Sequence, residues 1–368
     1  MNNTARFSSV LNRNIVKRLS NTASNKKKRI VILGSGWGSY SVLKNINRRL
    51  FDVKVISPRN HFLFTPLLCS TAVGTLEFRS ITEPIRNIGF NDPNDFMLAY
   101  AEQLDTSTQT LHCRSALDPG SQFNVYYDKL VIGVGCKSNT FGVPGVEKFA
   151  SFLKEIADAQ YIRRKILTNC EKALSPTLPS EENKRLLHTV IVGGGPTGIE
   201  FEQNFMTLKY KMSWRLYQSS EEWFKVTLIE AGKVKEDCVI LKDGTCLPCG
   251  LVVWSTGLSP QTFTKNLKLP KRIPRGTAVG DPKKNIYAVG DCASLENNPL
   301  PCTAQVAERQ GRYLARALNS QEKGEEIKPF LFQSSGMLAY IGDFKALPDL
   351  PDFKIRGFTS GYFGDQHI

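Results

Sequence analysis

The chain has 368 residues, of which 41% are hydrophobic and 22% are charged. A chain of this length can form two domains with separate cores, and its composition excludes a disordered or fibrous protein. The formal net charge is +14, but eight basic residues lie within residues 1–29, which leaves +6 for the remainder. Nucleic acid is therefore not expected as a partner. No apolar run reaches the roughly 18 residues that a membrane-spanning helix needs.

Residues 1–29 have the composition of a mitochondrial presequence. They combine basic residues with Ser, Asn and Thr, and the first acidic residue of the chain is Asp52. On a helical projection the apolar residues lean to one side and the basic residues to the other, as in an amphipathic transit helix. A basic tail without structure is the alternative. We expect a presequence over residues 1–29.

Two segments have the pattern of a βαβ unit with a glycine-rich turn. Residues 29–56 carry Gly-Ser-Gly-Trp-Gly-Ser after an apolar strand, and residues 188–230 carry Gly-Gly-Gly-Pro-Thr-Gly in the same context. Free backbone N–H groups and the positive end of the helix dipole make such a turn a pyrophosphate site. One glycine turn is also a common structural feature, but two copies predict two dinucleotides and an α/β fold of tandem Rossmann type.

The first turn departs from the usual fingerprint at two positions. Gly34 permits the sharp turn and Gly36 lets the backbone approach the phosphates, while Ser39 stands where a third glycine allows close packing of helix on strand. Gly38 is an additional small residue. Ser57 ends the second strand, where an acidic residue usually contacts the adenosine ribose.

The second turn is followed by the acidic residue that the fingerprint requires. Gly193, Gly195 and Gly198 form the turn, and Glu230 ends the second strand. Its carboxylate can accept hydrogen bonds from a ribose and repels a 2′-phosphate. The sequence therefore favours NADH over NADPH at this site.

Two further strands end on glycines. The strand over 129–135 closes on Gly133 and Gly135, where the chain passes close to a bulky group. The strand over 286–291 closes on Gly290-Asp291, before a predicted helix over 304–318. A carboxylate there suits a ribityl or ribose hydroxyl of FAD, and a helix N-cap is the alternative role for Asp291.

Several runs resemble the type II (alternative, rotenone-insensitive) NADH:ubiquinone oxidoreductases of mitochondria and bacteria. The resemblance covers about residues 29–350, and its most specific runs begin at Phe62 and Gly193. The runs are Leu33-Gly-Ser-Gly-Trp-Gly38, Ile56-Ser-Pro-Arg59, Phe62-Leu-Phe-Thr-Pro-Leu67, Gly193-Gly-Gly-Pro-Thr-Gly-Ile-Glu-Phe201, Val253-Trp-Ser-Thr-Gly257, Val289-Gly-Asp-Cys-Ala293 and Thr303-Ala-Gln-Val-Ala307.

The resemblance implies a two-dinucleotide-binding flavoprotein without a metal. The residues assigned to FAD are Gly34, Gly36, Gly38, Ser57, Pro58, Arg59, Thr65, Pro66, Gly135, Gly290, Asp291, Ala304 and Gln305. The residues assigned to NADH are Gly193, Gly195, Pro196, Thr197, Gly198, Glu200, Glu230, Thr256 and Gly257. Glu200 is implied as the catalytic residue where nicotinamide meets flavin, with a helix-face glutamate as the alternative. Gln305 and Arg309 are implied on the quinone side.

The implied activity is hydride transfer from NADH to the flavin and two-electron reduction of ubiquinone without proton pumping. The implied location is the mitochondrial inner membrane surface, on the matrix side in preference to the intermembrane space. Attachment there is peripheral, and a homodimer is compatible with the resemblance.

The expected domain order follows from these motifs. Helical spacing over 149–173 and a Pro/Ser/Glu connection over 175–183 suggest a boundary close by. The expected segments are a presequence 1–29, a first FAD-binding part 30–180, an NADH-binding domain 181–258, a second FAD-binding part 259–330 and a shortened membrane-associating region 331–368.

The chain departs from the family in the NADH domain and near its end. After Glu230 roughly 40 residues, about one helix plus one strand, are missing before the next hairpin. A doubly wound half that lacks its outer strand would expose an unprotected edge. The C-terminal helices that associate with the membrane are also missing, and Arg309 stands where the family has a glutamine. Either a shortened isoform or incomplete gene model of a working enzyme, or a divergent protein that binds its cofactors without full turnover, fits these departures.

Two rival functions remain. A sulfide:quinone oxidoreductase shares the flavin architecture but has no use for NADH, so Glu230 and the second glycine turn speak against it. A catalytically impaired flavoprotein that acts as a redox-linked interaction partner is supported by the missing elements.

The nine cysteines of this chain are expected to be free thiols. Cys246-Leu-Pro-Cys249 has the spacing of a redox dithiol or half a zinc site. A zinc site needs a second pair, for which Cys238 alone is a poor candidate, and the pair falls in a predicted hairpin. A structural role for these cysteines is preferred.

Overall fold

The computed structural model describes residues 27–215, 224–230, 233–269, 271–272, 277–278, 284–293, 300–334, 336–340 and 346–349. Most of the expected presequence and most of the expected membrane-associating region lie outside the described residues. Among the described residues, no helix is both long enough and apolar enough to cross a membrane.

The first unit is built around a parallel sheet. Its strands are β1 (Lys28–Leu33), β2 (Phe51–Ser57), β3 (His61–Leu63), β4 (Thr82–Pro84), β5 (Phe96–Asp105), β6 (Thr110–Ser115), β7 (Gln122–Tyr126), β8 (Lys129–Ile132) and β9 (Cys136–Ser138). Its helices are α1 (Trp37–Asn45) and α2 (Leu68–Ala72).

The second unit follows, and the chain then returns to the first. The elements of the second unit are α3 (Val146–Phe149), β10 (Ser151–Phe152), α4 (Ile156–Ala173), α5 (Ser180–Leu186), β11 (His188–Val192), α6 (Pro196–Arg215), β12 (Lys225–Ile229), β13 (Lys233–Val234), β14 (Cys238–Ile240), β15 (Cys246–Pro248) and β16 (Leu251–Trp254). The remaining elements are β17 (Leu258–Pro260), α7 (Thr262–Asn266), β18 (Lys271–Arg272), β19 (Thr277–Ala278), β20 (Ile286–Ala288), α8 (Ala304–Lys323), β21 (Met337–Tyr340) and β22 (Ala346–Asp349).

The first sheet has the strand order β20-β8-β1-β2-β5-β6-β7. Strands β20 to β5 in that order pair in parallel, and β6 and β7 extend the sheet as an antiparallel ribbon. Residues 30–33 of β1 are at most 1% exposed and point alternately into two separate core clusters. Both faces of the sheet are therefore covered, which explains the uninterrupted apolar run in the sequence.

Strand β1 begins inside the expected presequence. The backbone N–H of Arg29 donates to Asp128 Oδ2 over 2.6 Å, and its guanidinium pairs with Asp52 at 3.0 Å. Lys28 Nζ lies 2.9 Å from a carboxylate oxygen of Glu322. Residues 28 and 29 are therefore part of the first sheet and have acidic partners far along the chain.

The second sheet is parallel, with the order β10-β16-β11-β12. Ser151 and Phe152 pair with Val253 and Trp254, so the expected helix over 149–173 is wrong in its first part. The helix α4 starts only at Ile156, behind a capping box formed by Glu155 and Asp158. The second unit thus begins before the expected boundary at residue 181.

The chain passes between the two units at two neighbouring places. Strands β9 and β17 pair antiparallel where the chain enters and leaves the second unit. One core cluster also contains Leu63 and Ile81 of the first unit with Ile162 of α4 and Val253 of β16. The carboxyl ends of the two parallel sheets are held close to each other by these contacts.

Strand β12 forms an edge of the second sheet among the described residues. Its five residues are exposed or half-buried, whereas all five residues of β11 are buried. The sequence predicted an unprotected edge here because of the missing segment, and the strand order agrees with it.

The second sheet is tied to its hairpin by a buried histidine. Nδ1 of His188 lies 2.6 Å from the Pro248 carbonyl oxygen, and Nε2 lies 2.8 Å from the Thr227 hydroxyl. Burial lowers the pKa of His188, the hydrogen bond to Pro248 opposes this change, and the Lys225 charge adds to it. The imidazole is therefore neutral in the fold at neutral pH.

We predict that this histidine makes folding stability fall in mild acid. The unfolded chain binds a proton near pH 6.5 and the folded chain only at lower pH, so the free energy of unfolding decreases as pH falls below about 6.5, by up to about 1.4 kcal/mol per pH unit. Urea denaturation of the wild type and of His188→Gln between pH 7.5 and 5.5 measures this. The variant should start about 1–3 kcal/mol less stable and decline less steeply. Parallel pH profiles would contradict the assignment.

Candidate functional site

The first glycine turn is shaped by a close approach of two backbone segments. Gly34 has a φ of +94°, and a Cβ on it would lie 2.4 Å from the carbonyl oxygen of Gly133. Only glycine fits there. The Ser39 hydroxyl donates to the Leu33 carbonyl over 2.8 Å and lies 3.3 Å from the Gly133 oxygen. Ser39 therefore fulfils the role of the third glycine through hydrogen bonds that hold helix on strand.

The end of β2 forms a hydrogen-bonded corner. Ser57 is 1% exposed, and its hydroxyl donates to the Arg59 carbonyl over 2.8 Å and lies 3.1 Å from the Ser35 hydroxyl. Arg59 Nε donates to Ser35 Oγ and to the His61 carbonyl, and its guanidinium pairs with Glu155. The serine at the ribose position thus supports Arg59, and its hydroxyl is already used within the protein.

One large cavity lies at the carboxyl ends of the first sheet. Its volume is about 2150 Å³, well above the roughly 300–1,000 Å³ of pockets for drug-sized ligands. This is the crevice where α/β folds bind their ligands. All thirteen residues assigned to FAD line it, namely Gly34, Gly36, Gly38, Ser57, Pro58, Arg59, Thr65, Pro66, Gly135, Gly290, Asp291, Ala304 and Gln305.

A carboxylate, a thiol and an ammonium group meet at one wall of this cavity. Cys136 Sγ donates to Asp291 Oδ2 over 3.1 Å, and Lys154 Nζ lies 3.3 Å from the same sulfur. Burial and the neighbouring Asp291 carboxylate raise the pKa of Cys136 to about 12, so its thiol stays protonated and donates. The Gly290 N–H donates to Gln310 Oε1 over 2.7 Å. These contacts fix the orientation of the Gly290-Asp291 turn.

The opposite wall brings Glu200 close to the Thr65-Pro66 turn. Trp37 Nε1 donates to the Thr65 hydroxyl over 3.0 Å. Three residues on from Pro66, Cys69 lies near the Glu200 carboxylate, and burial and that charge raise the pKa of its thiol. Glu200 is half-buried on α6 and lines the same cavity.

The second glycine turn is compact at its base and open at its tip. Gly193 has a φ of +116°, and a Cβ on it would lie 2.8 Å from Thr256 Cβ. A Cβ on Gly198 would lie 2.0 Å from the Gly193 carbonyl oxygen. Residues 194–197 are exposed. Helix α6 starts at Pro196, a position where the missing N–H costs nothing.

The residues assigned to NADH occupy two places. Those that line the large cavity are Pro196, Thr197, Glu200 and Gly257. Gly193, Gly198 and Thr256 pack against each other at the base of the turn, and Gly195 is exposed at its tip. Glu230 is exposed directly after Ile229, whose carbonyl accepts from the Gly193 N–H over 2.9 Å. The turn and the acidic residue are thus neighbours across β11 and β12.

The two residues expected on the quinone side, Gln305 and Arg309, also lie in different places. Gln305 lines the cavity, on the first turn of α8 behind the Thr303 N-cap. The Arg309 guanidinium donates to the Gln333 carbonyl and lies 5.6 Å from the ring centre of Phe332. Phe332 and Ser334 line the cavity, so Arg309 acts on its rim by holding the segment that carries them.

Several residues at the site escaped sequence reasoning. Cys136, Lys154 and Glu155 line the cavity, and Gln310 holds its Gly290 turn. The Glu-x-x-Asp capping pattern before α4 can be recognised in the sequence. The packing of this segment against the cavity of the first unit cannot be recognised there. Among the residues whose placement is described, no group of three or more His, Cys, Asp or Glu side chains is arranged for a metal ion.

Known proteins resemble this chain in sequence and in fold. The sequence profile of the family "Pyridine nucleotide-disulphide oxidoreductase" matches residues 28–235 and 225–311. The chain is 39% identical over 408 residues to the internal alternative NAD(P)H-ubiquinone oxidoreductase A1, mitochondrial, of Solanum tuberosum, covering 93% of this chain and 82% of the relative. It is 39% identical over 393 residues to a probable NADH dehydrogenase of Dictyostelium discoideum, covering 95% and 87%.

Both alignments are longer than the 368 residues of this chain. The relatives therefore have segments inside the aligned range that this chain lacks, as the short connection after Glu230 suggested. Among solved structures, NDH2 from Plasmodium falciparum in complex with NADH superposes with a TM-score of 0.85 at 26% identity and covers 93% of this chain and 94% of its own. The identity, the coverage and the shared fold together show that the chain belongs to the type II, or alternative, NADH:ubiquinone oxidoreductases, a family of enzymes.

Proposed function

We propose that this protein binds FAD in the large cavity and NADH on the second glycine turn, and acts as a non-electrogenic NADH:ubiquinone oxidoreductase. The observation that carries the proposal is the meeting of two residue sets in one cavity. The full FAD set lines it, and Pro196, Thr197 and Glu200 of the second turn reach into the same space. The relatives carry NAD(P)H and ubiquinone in their names.

The shape and the polar groups of the cavity suit FAD. Gly34 and Gly133 carry no side chains where their backbones meet. The absence of side chains leaves the room that a pyrophosphate needs at the start of α1. The Arg59 guanidinium and the Lys154 ammonium line the cavity and favour a dianionic ligand. Asp291 still has acceptor capacity besides its bond to Cys136, and a ribityl hydroxyl can use it.

Bound FAD would supply the redox chemistry, namely acceptance of a hydride from NADH and two-electron reduction of ubiquinone. The protein supplies orientation and charge. Asp291, fixed by Cys136, orients the cofactor, and the Thr65-Pro66 turn forms a wall that Trp37 keeps in place. Glu200 stands at the border between the two turns, where a half-buried carboxylate can hold a proton close to the reacting groups.

The second turn would hold the pyrophosphate of NADH. Its exposed tip at residues 194–197 presents backbone N–H groups at the start of α6, and Glu230 lies one strand away to accept the ribose hydroxyls. Gln305 and the Phe332 segment, held by Arg309, would border the quinone side of the same cavity.

We further propose that the protein acts at the matrix side of the mitochondrial inner membrane as a peripheral protein. The basic, acid-free residues 1–26 and the names of the mitochondrial relatives support the compartment. One relative is named an internal enzyme, and this name supports the matrix side.

A second candidate function is a flavoprotein with impaired NADH turnover. It is favoured by one observation, the edge strand β12, which ends directly before Glu230 and has no further strand beside it in the described part of the sheet. The two candidates differ only in what NADH does to the bound flavin.

Anaerobic titration of the purified full chain with NADH separates them. We expect the visible flavin band to bleach in proportion to the NADH added, and to return when a short-chain ubiquinone is added. A flavin band that stays oxidised would overturn the oxidoreductase proposal in favour of the second candidate. Purification without any flavin would overturn both.

We predict that Glu230→Gln relaxes the preference for NADH. Loss of the carboxylate removes both a ribose acceptor and the repulsion of a 2′-phosphate. The ratio of kcat/KM for NADPH to that for NADH should rise about tenfold, which corresponds to about 1.4 kcal/mol. Glu236→Gln, at an exposed acidic position six residues on, is the control. An unchanged ratio in Glu230→Gln would mean that this carboxylate does not contact the ribose.

A further inference from the structure

Three cysteines lie together on a hairpin outside the dinucleotide sites. Strands β13, β14 and β15 form a small antiparallel sheet below the second parallel sheet, and Cys238, Cys246 and Cys249 lie on it or at its end. None of the three lines the large cavity. Their chemistry is therefore independent of the proposed function.

Cys246 and Cys249 cannot form a disulfide with each other in this fold. Cys246 and Cys249 are three residues apart at the end of an extended strand, so their side chains point to opposite sides, roughly 10 Å apart along the chain. Cys246 is exposed, whereas Cys249 is 1% exposed in the core beside Val190 and Trp254. A dithiol made from the Cys-Leu-Pro-Cys run would require the hairpin to unfold.

The register of the hairpin provides a different partner. Cys238 pairs with Pro248, and Ile240 pairs with Cys246. Cys238 and Cys246 are therefore diagonal neighbours on the same face of the ribbon, while Val239 between them points into the core on the other face. Burial and the neighbouring Cys246 thiol raise the pKa of Cys238 to about 11, so Cys238 is a protonated thiol beside Cys246.

The two thiols also differ in their exposure to solvent. Cys246 is open to solvent, and Cys238 is buried beside it with 6% exposed. The turn between them, residues 241–245, contains Gly244 with a φ of +88° and is exposed at four of its five positions. A small oxidant can reach Cys246 directly, and this turn can absorb the small shift that a cross-strand bond requires.

We propose that Cys238 and Cys246 are a reversible disulfide site that responds to hydrogen peroxide. The Cys246 sulfur attacks one peroxide oxygen, the O–O bond breaks, and one water leaves as Cys246 becomes a sulfenic acid. The Cys238 sulfur then attacks the Cys246 sulfur, the S–O bond breaks, and the thiol proton leaves with the hydroxyl as a second water. Two thiols are oxidised to one disulfide and one peroxide is reduced to two waters.

Tryptic mapping of the oxidised full chain tests this pairing directly. Lys235 and Lys242 flank the first cysteine, so Cys238 falls in peptide 236–242, while Cys246 and Cys249 share peptide 243–265. After peroxide treatment and blocking of free thiols, we expect the two peptides to be joined in the unreduced digest and separate after reduction by dithiothreitol.

Two variants assign the bond. Cys249→Ala should keep the joined peptides, and Cys246→Ser should lose them. Loss of two hydrogens within peptide 243–265 alone would show a Cys246–Cys249 bond and overturn the proposal. Joined peptides that persist in Cys246→Ser, or a digest with all three thiols blocked, would overturn it as well.

Discussion

The close approach of Gly34 to Gly133 is the constraint on which the rest of the first site depends. Two parallel strands, β1 and β8, end side by side, and the backbone of one occupies the space that a side chain on the other would need. This convergence turns the chain sharply from β1 into α1 and leaves a crevice over the carboxyl edge of the sheet. Ser39 secures the arrangement from the helix side, since its hydroxyl bonds to the chain at the end of β1.

The two glycine turns are unequal despite their similar sequences. The first is enclosed by the Thr65-Pro66 turn, by the Gly290-Asp291 turn and by the residues that precede α4. The second has an exposed tip and is followed by an edge strand. The sequence prediction of a shortened connection after Glu230 is consistent with this difference, because a further strand would cover the edge formed by β12. The proposed flavin site is thus more enclosed than the proposed site of the nicotinamide cofactor.

Much of this could be predicted from the sequence, because both turns depend on local patterns. The second βαβ segment begins with a strand at residue 188, as predicted, and the turn at Gly290 follows its predicted strand. What could not be predicted depends on distant pairing. Ser151 and Phe152 form a strand only because β16 lies beside them, and Lys28 joins β1 because it pairs with Phe51 of β2. Cys136 and Lys154 meet Asp291 only after the chain has crossed between the units.

The most direct test of the account is the flavin content of Asp291→Ala compared with the wild type. Asp291 lines the cavity directly after β20, and its carboxylate is held there by Cys136. Loss of a hydrogen bond to a charged group costs roughly 1.5–3 kcal/mol. We expect the FAD dissociation constant of the purified full chain to rise about tenfold to a hundredfold, with circular dichroism unchanged. An Asp291→Ala protein that binds FAD as tightly as the wild type would contradict the account.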